Sequence, residues 1–405
     1  MVISGRWQGR PIALSIRREC LTISIGEPDH AHVISYDRAG RLWTAFLDGI
    51  SYRRGLDGRI VARWRNTEGE RERHWLSAAQ AVAVEERIWQ TATALYSAIR
   101  SGDASLITPL PQEGYVLLER AAAFDVTHSA EDARRFSQVY KPIGILPPDQ
   151  YMAVVLQATE GCSFNTCTFC HFYKGRPFRI KQPAEFRSHA LAVRQFLGEG
   201  LSLRRSIFLG DANALVIPMP RLLPLLDVVH EVYDVAALGG IYAFLDAFSG
   251  EKKSPQDYAT LYERGLRRVY IGLESGNADL LAFLKKPGTP QDAVQTVRAL
   301  KSAGVAVGVI VLLGAGGKQY AEAHVRDTIK VLNSMSLGSG DILYFSQLIV
   351  SAEMAYAQDA FRAGLEPLTQ AECRAQGEAI ARGLHFRPDA GAPRISRYDI
   401  REFVY

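Results

Sequence analysis

Three cysteines fall within nine residues of one another, Cys162, Cys167 and Cys170 in ATEGCSFNTCTFCHFYKGRPFR, in a chain that has only five cysteines in 405 residues. An odd, scattered set of thiols makes a poor disulfide framework, so the cluster reads as a metal site. Structural zinc usually takes four ligands from two separated knuckles, and the second knuckle is missing here. Three thiolates without a fourth suit a [4Fe-4S] cluster in which each cysteine holds one iron and the fourth iron stays open to a ligand. Three buried thiols acting as small hydrophobes are the bland alternative. The polar residues between them, among them Ser163, Asn165 and Thr166, argue against it.

Such a site needs elements to hold it. The preceding run MAVVLQAT is apolar and β-prone, and Gly161, Ser163, Asn165 and Thr166 are turn formers, so the cysteines are expected on a loop leaving the C-terminal end of a strand. Parallel α/β barrels keep their active sites at that end. Downstream, apolar runs predict strands near 152–158, 204–210, 238–245, 268–273, 305–313 and 341–347. Amphipathic runs between them predict helices near 183–198, 220–234, 255–264, 290–303 and 320–335. That alternation is the pattern of a parallel sheet with helical crossovers.

Composition bounds the rest. A chain of 44.8 kDa with 47% hydrophobic residues can bury a large core and carry one big domain plus a smaller one. No stretch approaches the roughly 20 apolar residues of a membrane span, and the N-terminus lacks a signal-peptide layout, so a cytoplasmic protein with no membrane partner is expected. A net charge of +4 is too weak to imply nucleic acid binding by itself.

On these residues the chain resembles the radical S-adenosylmethionine (radical SAM) superfamily, in which three cysteines bind a [4Fe-4S] cluster whose fourth iron is chelated by SAM. The family's usual spacing is C-x3-C-x2-C with an aromatic residue before the last cysteine. Phe169 takes that aromatic place, while the first gap here holds four residues, Ser163 to Thr166. The six strands resemble the family's partial (β/α)6 TIM-type barrel, over about residues 150–350. The run RRVYIGLESGN resembles the segment shared by oxygen-independent coproporphyrinogen oxidases, methylthiotransferases and the Elongator catalytic subunit.

The resemblance implies cofactor roles residue by residue. Gly210 and Asp211 in SIFLGDANAL fall where the family meets the amino group of SAM, with a helix N-cap as the other reading of Asp211. Glu274 and Ser275 fall where those relatives touch the cofactor, and Lys286 falls near a residue that meets the SAM carboxylate, with Lys285 as its alternate. Asp246 and Ser249 are implied ribose contacts. Gln347 and Ile349 fall near the adenine, and the glycines at 314, 316 and 317 near the adenosyl group. His171, Tyr173 and Lys174, with Arg176, follow the cluster on the loop above the open iron and are the candidate catalytic residues toward substrate.

The implied activity is reductive cleavage of SAM to a 5'-deoxyadenosyl radical, which abstracts hydrogen from a small-molecule substrate after a one-electron donor such as flavodoxin or ferredoxin reduces the cluster. Cys20 and Cys373 lie far from each other and from the cluster in sequence, so a second cluster would lack ligands. No D-x-H-x-x-G run is present, which disfavours cobalamin-dependent methyl transfer. A tRNA-modifying enzyme and a non-catalytic iron-sulfur or haem carrier are the alternatives.

Four segments are expected. Residues 1–76 read as a β-meander, on β-prone runs broken by Asp-Gly and Ala-Gly turns. Residues 77–150 read as a helical connector with a helix near 78–100 and a proline-rich joint. Residues 151–350 form the radical SAM core, and 351–405 a C-terminal extension, helical near 369–383. Arginines interleaved with Trp43, Trp64 and Trp75 leave nucleic acid contact open beside a solvated sheet face.

Overall fold

A computed structural model describes residues 1–26, 31–248 and 253–405. They fall into two units, Met1–Ile143 with Leu191–Arg205 and Glu402–Tyr405, and Gly144–Ala190 with Ser206–Arg401.

The first unit is built on consecutive antiparallel strands: β1 (Val2–Trp7), β2 (Arg10–Ile16), β3 (Cys20–Ile25), β4 (His32–Asp37), β5 (Leu42–Leu47), β6 (Ile50–Arg54), β7 (Ile60–Arg65) and β8 (Arg71–Trp75). A ninth, β9 (Ser105–Leu106), pairs with β1. Gln8-Gly9 and Asp48-Gly49 make two-residue hairpin loops with positive φ at both positions, the twist that suits antiparallel strands. Period-2 alternation sends Ile3, Ile12, Leu14, Leu21 and Ile23 to one face. There they share a core with Ile88, Ala92 and Leu95 of α1 (Ala78–Ser101) and Leu117 and Leu118 of α2 (Gln112–Ala123). Sheet and helices therefore share one hydrophobic core. The third helix, α3 (Val126–Val139), contributes Asp132, which takes the Arg41 guanidinium at 2.7 Å.

The second unit holds a parallel sheet. Its elements in chain order are β10 (Ala153–Gln157), the short antiparallel pair β11 (Thr159–Glu160) and β12 (Arg179–Ile180), the first half (183–190) of α4 (Pro183–Leu197), β13 (Ser206–Gly210), α5 (Met219–Val232), β14 (Ile241–Phe244), α6 (Pro255–Glu263) and β15 (Leu266–Glu274). Then come α7 (Ala278–Phe283), α8 (Pro290–Ser302), β16 (Ala306–Leu313), α9 (Gly317–Ser334), β17 (Ile342–Gln347), α10 (Ala355–Arg362), α11 (Gln370–Arg382) and β18 (Arg394–Tyr398). The sheet order is β10-β13-β14-β15-β16-β17-β18, every neighbour parallel. Strands covered on both faces need apolar residues at successive positions, as in Val154–Leu156 and Val307–Leu313. The six expected strands are all present. The seventh, β18, comes from the segment read as an extension, and it went unseen because Arg394, Ser396 and Arg397 give it no apolar run.

Asp149, in the turn before β10, closes the N-terminal end of this sheet. It accepts from Arg268 at 2.8 Å, the Tyr270 hydroxyl at 2.6 Å and the Tyr344 hydroxyl at 2.7 Å. Among the described residues, no helix is long and apolar enough to cross a membrane.

Candidate active site

At the opposite strand ends lies a cavity of about 200 Å³. The three cysteine residues line it, with Phe169, His171 and Tyr173 from the same loop, Asp246 after β14, Glu274 closing β15, Lys286 after α7, and Gln347 and Ile349 at the end of β17.

The cysteine loop is held at both ends and in the middle. Its neck is the β11/β12 pair, where Arg179 grips Glu160 with two bonds of 2.8 and 2.7 Å. Gly161 has φ +73°, and a Cβ there would lie 2.6 Å from the Arg176 carbonyl oxygen, so only glycine lets the two ends meet. Asn165, within the longer first gap, takes a left-handed φ of 53° and donates through Nδ2 to the Tyr173 carbonyl at 2.9 Å. The extra residue is thus absorbed in a turn. Beyond it, Thr166 Oγ1 donates to the Lys285 carbonyl at 3.1 Å and the Thr168 N–H to the Leu284 carbonyl at 3.0 Å, which fixes the Cys167 side of the loop against the end of α7.

All three thiols are free of disulfides. Burial pushes the Cys167 thiol up to about 11 against the opposing charge of Lys286, and burial likewise raises Cys170. Among the described residues, no three His, Cys, Asp or Glu side chains converge tightly enough to hold a single metal ion. Three thiols lining one cavity are the donor set that a [4Fe-4S] cluster with one open iron would use.

Charge on the other wall is arranged around Lys286. Its ammonium stands 3.5 Å from Glu274 Oε1, and both groups are close to nine-tenths buried. Burial works against the lysine's charge, and the carboxylates of Glu274 and Asp246 outweigh it, so its pKa is raised. Desolvation raises the pKa of Asp246, again with Lys286 as the opposing charge. Lys286 is thus paired with Glu274 and acts electrostatically on Asp246 in the same cavity. The neighbouring Lys285 is exposed and pairs with Asp359 at 2.9 Å, which leaves Lys286 as the cavity lysine.

Glu274 is aimed by a braced turn. The β15/β16 register shifts between Gly272 and Glu274, and Glu274 has φ 59°. Ser275, fully buried, points away from the cavity: its Oγ meets His324 Nδ1 of α9 at 2.7 Å and accepts from the Asn277 N–H at 3.0 Å. Gly276 donates to Thr328 Oγ1 at 2.9 Å, and a Cβ there would sit 2.4 Å from the Asp327 carbonyl oxygen. Ser275 and Gly276 therefore hold the turn that carries Glu274.

Several other expected residues lie outside the cavity. Gly210 and Asp211 are behind the cysteine loop, where the Asp211 carboxylate bonds Arg176, and Asn213 rather than Asp211 stands at the cap position of the next turn. Lys174 is exposed and donates to the Asn165 carbonyl. The glycine turn 314–317 packs under the 356–376 segment, Gly314 N–H on Gln376 Oε1 and Gly316 N–H on the Tyr356 hydroxyl, both at 2.9 Å. Ser249 lies outside the described residues. Asn213 was missed although it stands two positions past Asp211; it lines the cavity and accepts from the Asp246 N–H at 3.0 Å. Tyr398 and Ile400 also line it, and no motif marks them.

Residues 156–332 match the family model of the radical SAM superfamily. No curated protein matches the chain. Among solved structures, Streptococcus suis SuiB bound to S-adenosylmethionine is 12% identical, with 87% of this chain and 72% of that chain covered and a TM-score of 0.42. The Escherichia coli coproporphyrinogen III oxidase HemN is 13% identical over 57% of this chain and 54% of that one, with a TM-score of 0.41. The cobalamin-dependent radical enzyme OxsB is 12% identical at a TM-score of 0.39, and this chain spans only 37% of its length. Over residues 156–332, then, the chain is similar to the radical SAM superfamily, whose enzymes bind a [4Fe-4S] cluster and S-adenosylmethionine.

Proposed function

We propose that this chain is an enzyme that removes hydrogen from a small molecule, using a [4Fe-4S] cluster held by Cys162, Cys167 and Cys170 and S-adenosylmethionine bound beside it. The observation that carries the reading is the meeting, in one cavity, of three free thiols with the buried Glu274–Lys286 ion pair and the Asp246 carboxylate. When bound, the cluster and SAM supply an electron and a carbon-centred hydrogen abstractor. The chain's own residues do the rest. Glu274 and Asp246 would receive the cationic part of SAM, and Lys286 its carboxylate, as a point charge rather than a fork. Phe169, Gln347 and Ile349 would flank the adenosyl group.

Much of the remaining wall, including Ile145, Phe164, Phe172, Phe244, Leu348 and Ile400, is apolar. It would exclude water and hold a target C–H close to the abstractor. Tyr173 is buried, which raises its pKa well above the ordinary value and keeps it a neutral phenol. His171, exposed on the same loop, lines the cavity beside the cysteines and would face a substrate there.

The test is anaerobic reconstitution with iron and sulfide, chemical reduction, and mass spectrometry of the SAM products. The reading expects 5'-deoxyadenosine from the wild type and none from any of the three Cys→Ala variants. A full complement of iron with SAM left intact would instead point to a carrier.

A further inference from the structure

The Asp211 carboxylate is filled by this chain. Its Oδ1 accepts from Gln157 Nε2 at 2.9 Å; its Oδ2 accepts from Arg176 Nη1 at 2.8 Å and from the Gly161 backbone N–H at 3.3 Å. The Asp211 N–H donates to Thr159 Oγ1 at 3.0 Å. Its side chain is 2% exposed, so water does not compete for these bonds. The partners share a location: Gly161 directly precedes Cys162, and Arg176 ends the turn that follows Cys170. They are the two ends of the cysteine loop, at the neck where Gly161 has no room for a Cβ. The Arg176 guanidinium also lies 5.7 Å over the ring of Tyr173, whose carbonyl takes the Asn165 side chain. One carboxylate therefore joins the end of β13 to both ends of the loop and, through Arg176, to its middle.

We propose that Asp211 is a positioning residue, an electrostatic latch that works with Arg176 to set the loop for cluster assembly, and that it does not receive the ammonium group of SAM. An incoming ammonium would have to displace Arg176, leaving a guanidinium without its carboxylate. The latch rests on the reading that the three cysteines hold the cluster. It also supplies a reason for the chain to carry the shorter aspartate here: the carboxylate has to stay at the neck, among Gln157, Gly161 and Arg176, rather than reach the cavity.

The variants are Asp211→Asn and Arg176→Gln, which remove the charges, and Arg176→Lys, which keeps one. Three readouts separate the possibilities. In the apo chain, tryptic cleavage after the exposed Lys174, followed by mass spectrometry, reports loop opening. The latch expects Asp211→Asn and Arg176→Gln to be cut on the order of 100-fold faster than wild type, and Arg176→Lys to stay close to it. Asp149→Asn, at the other end of the sheet, controls for general destabilisation and is expected to lower the melting temperature without exposing Lys174. After reconstitution, Asp211→Asn should hold less than half the wild-type iron and sulfide, while its loaded fraction binds SAM within about twofold of the wild-type Kd.

Full iron loading in Asp211→Asn together with a SAM Kd raised about tenfold or more would overturn the latch and make Asp211 the ammonium acceptor. Unchanged cleavage after Lys174 would overturn it as well. If the wild type takes up no iron, the cluster reading fails, and the latch is judged by cleavage rates alone.

Discussion

The two ends of the parallel sheet treat buried charge in opposite ways. At the N-terminal ends of the strands, Asp149 has donors on both oxygens: Arg268 balances its charge, and Tyr270 and Tyr344 satisfy its remaining lone pairs. At the C-terminal ends, Glu274 and Asp246 share Lys286, and three thiols face them across the same cavity. One end is a closed network that stabilises the fold by itself. The other gathers its buried charge around a cavity, where Lys286 pairs with Glu274 and acts on Asp246 beside the three cysteines.

The largest expected effect removes the mouth's chemistry. Alanine at Cys162, Cys167 or Cys170 should lower the rate of SAM cleavage on the order of 10³-fold or more, measured as 5'-deoxyadenosine, with the melting temperature of the apo chain nearly unchanged. Replacing Lys286 with Met sharpens the contrast by leaving two buried carboxylates without their ammonium. Apo stability should fall by about 3–5 kcal/mol, read from the shift in the denaturant midpoint, and SAM should recover part of it. A loss no larger than that of a surface lysine would mean that the mouth is not charge-strained.

A third effect comes from the brace beneath Glu274. His324 is fully buried against Ser275 and Thr328, and desolvation holds its pKa at about 4 in the folded chain, with Asp327 opposing, against 6.5 when unfolded. The unfolded chain therefore takes up the proton first as pH falls. The stability contribution is intact above about pH 6.5 and is lost as pH drops toward about 4, amounting to about 3 kcal/mol. Denaturation of the apo chain at pH 7 and pH 4.5 should show this slope in wild type and lose it in His324→Gln. The smallest effect belongs to the closed end. Asp149→Asn should cost about 2 kcal/mol in apo stability, while SAM cleavage per folded, loaded chain stays at the wild-type level. A selective loss of cleavage there would end the division between the two ends.

Local pattern was enough to find most of the second unit, because strands covered on both faces must be continuously apolar and the helices between them must be amphipathic. The observed β13, 206–210, and α8, 290–302, lie within two residues of the spans expected from their runs. Pattern failed at β18, an edge strand whose charged residues face water. It also failed at residues whose meaning depends on distant partners. Asp211 read as a cofactor contact or a helix cap, and neither reading names Arg176 or Gln157, which only the closed loop brings to it. Ser275 belonged to a recognisable segment, yet its hydroxyl is committed to His324, 49 positions away. Glu274 and Lys286 were legible together because one turn and the short α7 separate them.

The place of β18 in the chain orders the protein's biogenesis. The thiols leave the ribosome long before Tyr398, and until Tyr398 is made the cavity lacks one of its walls. A chain truncated before β18 should therefore leave the cysteine cavity open on that side, and faster air oxidation of its thiols than in the full chain would show it.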